Sequence, residues 1–433
     1  MNIEIIACLI TLLLFTLFLL GVEIGFAMAI TGFIGFAVVT NVRAAFDIMA
    51  MDFYSVFSSY SLIVIPLFVL MGQIGASAGL TKSLYDLGYK CVGHVSGGLA
   101  IATVAAATAF KAICGSAVAT SATFATIAIP EMDRYGYDKR LSCGTVATVG
   151  TLGGIIPPSV ALVIYGLITD TSIGRLFLAG IIPGLIIALT FALTLLLWCK
   201  INPKLGPKGE RSTWRQRLVA FPPVAWVLAI FVLVVGGLMW GFFSATEAGS
   251  VGAFAVLVLV VAKRDMDLKR LISSVNDSVK IGCMVLVLIA GATVLGHFYA
   301  VTKMPFLLAA WLETLPVHRS IIIMLILLVF LIGGSFIDDM AFFILATPIF
   351  LPIVLKLGYD PIWFGMTLSV TMMMGIILPP MAVNVFVVAG IAKVPLGTVY
   401  KGTYPFLAGL VVCNLLVLFI PQLSLWLPNL VMK

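Results

Sequence analysis

Charge is scarce in this sequence. Its 433 residues include 25 Lys and Arg and 18 Asp and Glu, 10% in all, where a soluble domain carries about 25%. Hydrophobic residues make up 62%. No soluble fold buries that much apolar surface, so the chain is read as an all-α polytopic membrane protein, with room for roughly ten spans of about 20 residues. Histidine is nearly absent too. His94, His297 and His318 are scattered over loops and span ends, which leaves no metal or catalytic constellation. There is no Gly-Lys-Ser/Thr phosphate loop, so neither ATP hydrolysis nor an organic cofactor is expected. Five of the seven cysteines, Cys8, Cys114, Cys143, Cys283 and Cys413, fall inside apolar runs without metal spacing. They read as small packing residues and imply no disulfide framework. The first run, Ile3 to Leu20, lacks a basic leader and a small-residue cleavage site, and is read as a retained span. The net charge of +7 comes from loops and reports topology rather than nucleic-acid binding.

Proline, by contrast, stands where a membrane helix can least accommodate it. Gly153-Gly154-Ile155-Ile156-Pro157-Pro158-Ser159 lies in the middle of one long apolar run. Gly375-Ile376-Ile377-Leu378-Pro379-Pro380 lies in the middle of another, at an offset of 222 positions (380 − 158). Proline removes a backbone donor and clashes with the preceding turn, so both runs are expected to be helices broken at mid-membrane. The same offset pairs Ile129-Pro130 with Leu351-Pro352, Gly136-Tyr137-Asp138 with Gly358-Tyr359-Asp360, and Pro183 with Pro405. The chain is a duplication.

Spans are expected at about 3–20, 25–41 and 59–76, then a polar segment with Lys82, Asp86 and Lys90. Residues 97–129 are unusually small and are interrupted at Cys114-Gly115-Ser116. Two half-length arms folded back at that point, a re-entrant hairpin, explain the stretch better than one span. The first broken helix (140–168) and a long span (174–199) close the first half. In the second half, spans at 218–239, 245–262 and 281–298 precede a second hairpin over 320–352, expected to turn at Gly333-Gly334-Ser335. The second broken helix (361–391) and a last span (402–427) follow. Matching the two Gly-Ser tips gives an offset of 219 (334 − 115) and implies a three-residue insertion in the second hairpin.

Residues 200–217 carry six basic residues against Glu210 alone and are placed in the cytoplasm. Lys263, Arg264, Lys269 and Arg270 then also fall inside. Each half has an odd number of complete spans, so the repeat is inverted, with the N-terminus outside and the two hairpins entering from opposite faces. Inverted repeats with broken helices at the midplane are the mark of a secondary transporter.

Each tip is expected to face the break of its own half. Backbone carbonyls and hydroxyls suit sodium, a hard cation, without burying a permanent charge. One sodium ion is assigned to Ser116, Thr120, Thr151, Gly153, Ile156 and Pro158. A second is assigned to Gly334, Ser335, Asp338, Gly375, Leu378 and Pro380. Asp338 and Asp339 either face the ion and the transport cavity or act as helix N-terminal carboxylates. Ser159, Asp339 and Asn384 are candidate substrate contacts; for Asn384 a helix–helix hydrogen bond fits equally well. Glu23 and Glu247 read as caps at tight turns rather than proton carriers, and Lys111 as a snorkelling side chain rather than an anion trap. The organisation expected is a scaffold segment 1–96, half of a transport domain 97–199, the linker 200–217, a scaffold segment 218–318, and the other half with the last span, 319–433.

With these residues in place, the sequence resembles the large membrane subunit of tripartite ATP-independent periplasmic (TRAP) transporters, the DctM-like family. The resemblance covers nearly the whole chain. Its most specific parts are Gly115-Ser116-Ala117-Val118-Ala119-Thr120, the Gly153–Ser159 stretch, Pro66-Leu67-Phe68-Val69-Leu70-Met71-Gly72 and Thr246-Glu247-Ala248. It implies an elevator-type, sodium-driven importer of organic acids such as dicarboxylates, sialic acid or keto acids in a bacterial inner membrane. It also implies two partners, a small four-helix membrane subunit encoded separately and a periplasmic substrate-binding protein. A stand-alone divalent-anion/sodium symporter is the first alternative. A channel and an intramembrane hydrolase are weaker ones, since a pore does not need two served breaks and no His lies near Ser116 or Asp338.

Overall fold

The computed structural model describes every residue except 1, 2, 264, 265, 305, 306, 308, 309, 311–317 and 433, and the Glu4 side chain. Arg264 of the expected basic connection therefore lies outside the described residues. The described chain is helical throughout, with no strand. Eight of its helices are long and apolar enough to cross a membrane. Large apolar side chains such as Leu12, Leu189, Val261 and Val412 point outward, as expected where lipid is the solvent.

Helices α1 (Ile3–Leu19), α2 (Ile24–Val39), α3 (Val42–Phe57), α4 (Val64–Ser77) and α5 (Leu80–Val92) come first. The polar segment around Lys82 is thus a helix, α5, whose apolar face of Leu80, Leu84 and Tyr85 lies on the next element. Helices α6 (Gly98–Lys111) and α7 (Ala117–Arg134) are the arms around the first tip. The first broken helix is α8 (Lys139–Val149), a 3-10 turn Gly150–Gly154, a non-helical segment, and α9 (Val160–Ile168). Helix α10 (Ile173–Ile201) then runs unbroken.

The second half opens with a short surface helix α11 (Trp214–Ala220), closed at its start by a Thr213–Gln216 capping box. Pro222, whose missing N–H suits a first helical position, starts α12 (Pro222–Phe231). It passes through a π turn at Val232–Gly236 into α13 (Gly237–Met239). Helix α14 (Ala245–Lys263) follows, its first turn capped reciprocally by Ser244 and Glu247. Glu23 also stands at a helix start, before α2, but its side chain makes no capping bond. Helix α15 (Leu268–Val301) is far longer than the expected 281–298. Asp267 caps it by accepting from Arg270 N, and no proline or glycine stops it before the apolar part begins. From residue 319 on, the helices are α16 (Arg319–Phe336), α17 (Asp339–Lys356), α18 (Pro361–Gly375), α19 (Val383–Ala392), α20 (Leu396–Phe419) and α21 (Gln422–Val431).

The second tip is not where its Gly-Ser pair suggested. Helix α16 runs straight through Gly333, Gly334 and Ser335, and the chain leaves helical conformation only at Ile337 and Asp338. The three residues have other work. A side chain at Gly333 would collide with the ring of Phe342, and one at Gly334 would press on Met372 at 3.0 Å. Close packing, not a turn, explains these glycines. No insertion is needed either. Helices α7 and α17 begin at 117 and 339, and α8 and α18 at 139 and 361, all at the same offset of 222. The second hairpin has a longer first arm and a correspondingly shorter link.

The halves exchange contacts across the centre. Helix α9, after the first break, packs on α17 of the second half, and α19, after the second break, packs on α7 and α8 of the first. Outside this centre, α2 lies along α15, and α4 packs on α14 and α15.

Candidate transport site

At the first break, tip and unwound helix touch. A Cβ placed on Gly115 would fall 2.8 Å from Pro158 O and 3.1 Å from Val160 N, so only glycine lets the tip approach this closely. Ser116 caps α7 by accepting from Ala119 N at 3.3 Å, and Ser159 caps α9 by accepting from Leu162 N at 3.4 Å. The N-termini of the two half-helices thus meet. Residues 155–160 are all buried, as are Thr151 and Gly153. Thr120 and Thr151 spend their hydrogens locally, on Ser116 O (2.9 Å) and Thr148 O (2.8 Å).

Lys111 does not snorkel. It is completely buried, and its Nζ donates to Ser116 O at 2.8 Å. A Cβ on Gly153 would collide with that Nζ and come within 3.3 Å of Gly115 O. The ammonium therefore stands between tip and break, among the atoms assigned to the first ion. No carboxylate among the described residues is within ion-pair distance of it. The last turn of α6 points its side chain inward, away from any water to which four methylenes could reach, which the apolar pattern alone did not reveal.

The second break is built alike but charged and open. Gly375 approaches Gly334, with 3.2 Å from a built Cβ to Gly334 C, and Met381 N donates to Ser335 O at 3.0 Å. Ser335 Oγ is turned back on Ile332 O. Asp338 caps α17 by accepting from Ala341 N at 3.0 Å. Leu378 is partly exposed, and Pro379, Pro380 and Met381 are exposed, unlike their buried counterparts in the first half. Both breaks contain a cis Pro-Pro peptide bond.

Two of the expected substrate contacts lie between the halves. Asp339 lines a cavity of about 20 Å³ together with Gly154 and Ala161 of the first half and Ser369, Met372 and Met373 of the second. Such a space holds about one water-sized particle. Asn384 is fully buried and donates from Nδ2 to Ala147 O at 3.1 Å, while its Oδ1 has no partner. It is thus a bond between the halves with one acceptor to spare. Ser159 is buried in the first break, where it caps α9.

A half-helix pair at each of two proline breaks, locked across a duplicated core, is a transporter's centre in outline. The profile of the family described as "Tripartite ATP-independent periplasmic transporter, DctM component" matches residues 11–423. The chain belongs to that family. It is 36% identical over 382 residues to the C4-dicarboxylate TRAP transporter large permease protein DctM of Pseudomonas aeruginosa, covering 88% of this chain and 89% of that one. It is 33% identical over 375 residues to the 2,3-diketo-L-gulonate TRAP transporter large permease protein YiaN of Escherichia coli, covering 86% and 87%. Among solved structures, the YdaH transporter of Alcanivorax borkumensis superposes with a TM-score of 0.65 over 90% of each chain, at 15% identity. That likeness concerns the fold alone. The chain is accordingly a multi-pass TRAP transporter large permease, and its relatives are permeases rather than enzymes.

Proposed function

We propose that this chain is the translocating subunit of a sodium-coupled importer of a small organic acid, a dicarboxylate, sialic acid or keto acid. In this reading a periplasmic binding protein delivers the substrate, and a small four-helix subunit accompanies the chain in a bacterial inner membrane, with the N-terminus in the periplasm. Membership of the TRAP family supports both partners, and the relatives' organic-acid substrates support the substrate class. It is not an enzyme; it binds and translocates.

The observation that carries the coupling is the second break. There Ser335 O accepts from Met381 N, Asp338 caps the helix that follows, and the unwound chain from Leu378 to Met381 is open to water. A half-buried carboxylate beside a second one, Asp339, repels an organic acid. A cation bound at Asp338 removes part of that repulsion, so sodium and substrate favour the same state, which is what coupling requires. The first break is the matching cation cage. Helices α6 to α9 and α16 to α19 form the mobile body, two re-entrant hairpins and two broken helices that carry the site across the bilayer as an elevator. Helices α1 to α5 and α11 to α15 form its frame.

The test is uptake into proteoliposomes holding the chain, its small subunit and the cognate binding protein. Uptake is expected to collapse when the sodium gradient is dissipated and to survive without ATP. Undiminished uptake without sodium would remove the ion assignment, and uptake without the binding protein would favour a stand-alone symporter.

A further inference from the structure

We propose that the Lys111 ammonium is a tethered cation that fills the first cation cage, leaving sodium only the second. The inference rests on the sodium-coupled reading and replaces its expectation of two ions. The first argument is position. Nζ is bonded to Ser116 O at 2.8 Å and crowds Gly153, and both residues belong to the set that oxygen chemistry assigns to an ion. Thr120 donates to the same carbonyl from Oγ1 at 2.9 Å and from N at 3.3 Å, so Ser116 O has no lone pair to spare.

The second argument is cost. An ammonium removed from water gives up its hydration, a heavy cost unless its surroundings replace it. Lys111 is completely buried, with no carboxylate at ion-pair distance among the described residues. What it meets instead is the backbone of the tip, Ser116 O at 2.8 Å with Gly115 O beside Gly153, oxygen of the kind that holds a bare monovalent cation.

The third argument is the internal control that duplication supplies. At the offset of 222, Lys111 corresponds to Gly333, Ser116 to Asp338 and Ala117 to Asp339. The half with a fixed cation has no acid at its tip. The half with two acids has no side chain at all where the lysine would be. The fixed cation of one half thus stands against the two carboxyl groups of the other.

Equilibrium binding of radioactive sodium to the purified chain with its small subunit tests this directly. The unmodified protein is expected to hold one sodium ion, which Asp338→Asn abolishes. Lys111→Gly, which copies Gly333, and Lys111→Ala are each expected to raise the count to two and to steepen the sodium dependence of uptake. Two ions on the unmodified protein would overturn the inference whatever the variants do. So would a count of one in Lys111 variants that still lose their ion on Asp338→Asn, which shows they are folded. No bound sodium in any form would overturn the coupling reading itself, and this one with it.

Discussion

Ser116 and Asp338 are the same residue of the duplicated fold. Each caps the second arm of its hairpin, Ser116 through Ala119 N at 3.3 Å and Asp338 through Ala341 N at 3.0 Å, and 222 positions separate them (338 − 116). The cap is shared, and the charge is not. The duplication has thus kept a structural role while dividing an electrostatic one.

That division makes cap and charge separable. Asp338→Ser keeps a capping oxygen, so thermal stability in detergent is expected to stay within about 0.5 kcal/mol. Losing a charged ligand is worth about 1.5–3 kcal/mol, so sodium affinity is expected to fall roughly tenfold to a hundredfold. Ser116→Ala removes the cap alone and is expected to cost about 1 kcal/mol. Unchanged sodium affinity in Asp338→Ser would return Asp338 to a purely capping role.

The crossing of α8 and α20 should tolerate nothing larger than glycine. A Cβ on Gly144 would collide with the backbone of Gly402, and one on Gly402 with Arg140 O. Gly402→Ala must push two backbones apart, and overpacking of that kind costs about 1–3 kcal/mol. Gly397→Ala, on the same helix with open space around it, is the control and should be neutral or better. Comparable unfolding temperatures for the two variants would contradict the crossing.

Asn384 ties the second break to the first half through Ala147 O. Asn384→Ala should lower stability by about 1 kcal/mol, the usual worth of a buried hydrogen bond, and should slow uptake. A variant with full stability and impaired uptake would assign Asn384 to the substrate instead of to the joint.

Acid should loosen the turn between α7 and α8. Asp138 bonds Arg140 through both its carboxylate oxygens and accepts from Arg140 N at 2.7 Å, which holds its carboxyl below the ordinary value of 3.8. A depressed folded-state value means the stabilisation is complete above the unfolded value and disappears as pH falls through the folded one. Asp138→Asn should therefore be less stable than the unmodified chain at neutral pH, the gap narrowing below about pH 4. Parallel pH profiles would contradict this account.

Much of the architecture was legible in the residues themselves. Scarce charge and long unbroken apolar runs dictate helices in a bilayer, because a helix satisfies its own backbone there and the strands of a closed barrel would alternate apolar with polar residues. Pro157-Pro158 and Pro379-Pro380 dictate the two breaks, because proline cannot donate within a helix. The repeat offset of 222 was equally plain, being a property of order along the chain. Packing decided what order could not. Gly333-Gly334-Ser335 looked like a tip by analogy with Gly115-Ser116, but glycine serves a close approach as readily as a turn, and only the neighbouring Phe342 and Met372 tell which. The direction of Lys111 was hidden for the same reason. A long flexible side chain can reach water or a carbonyl, and the choice belongs to the tip and the break that fold around it.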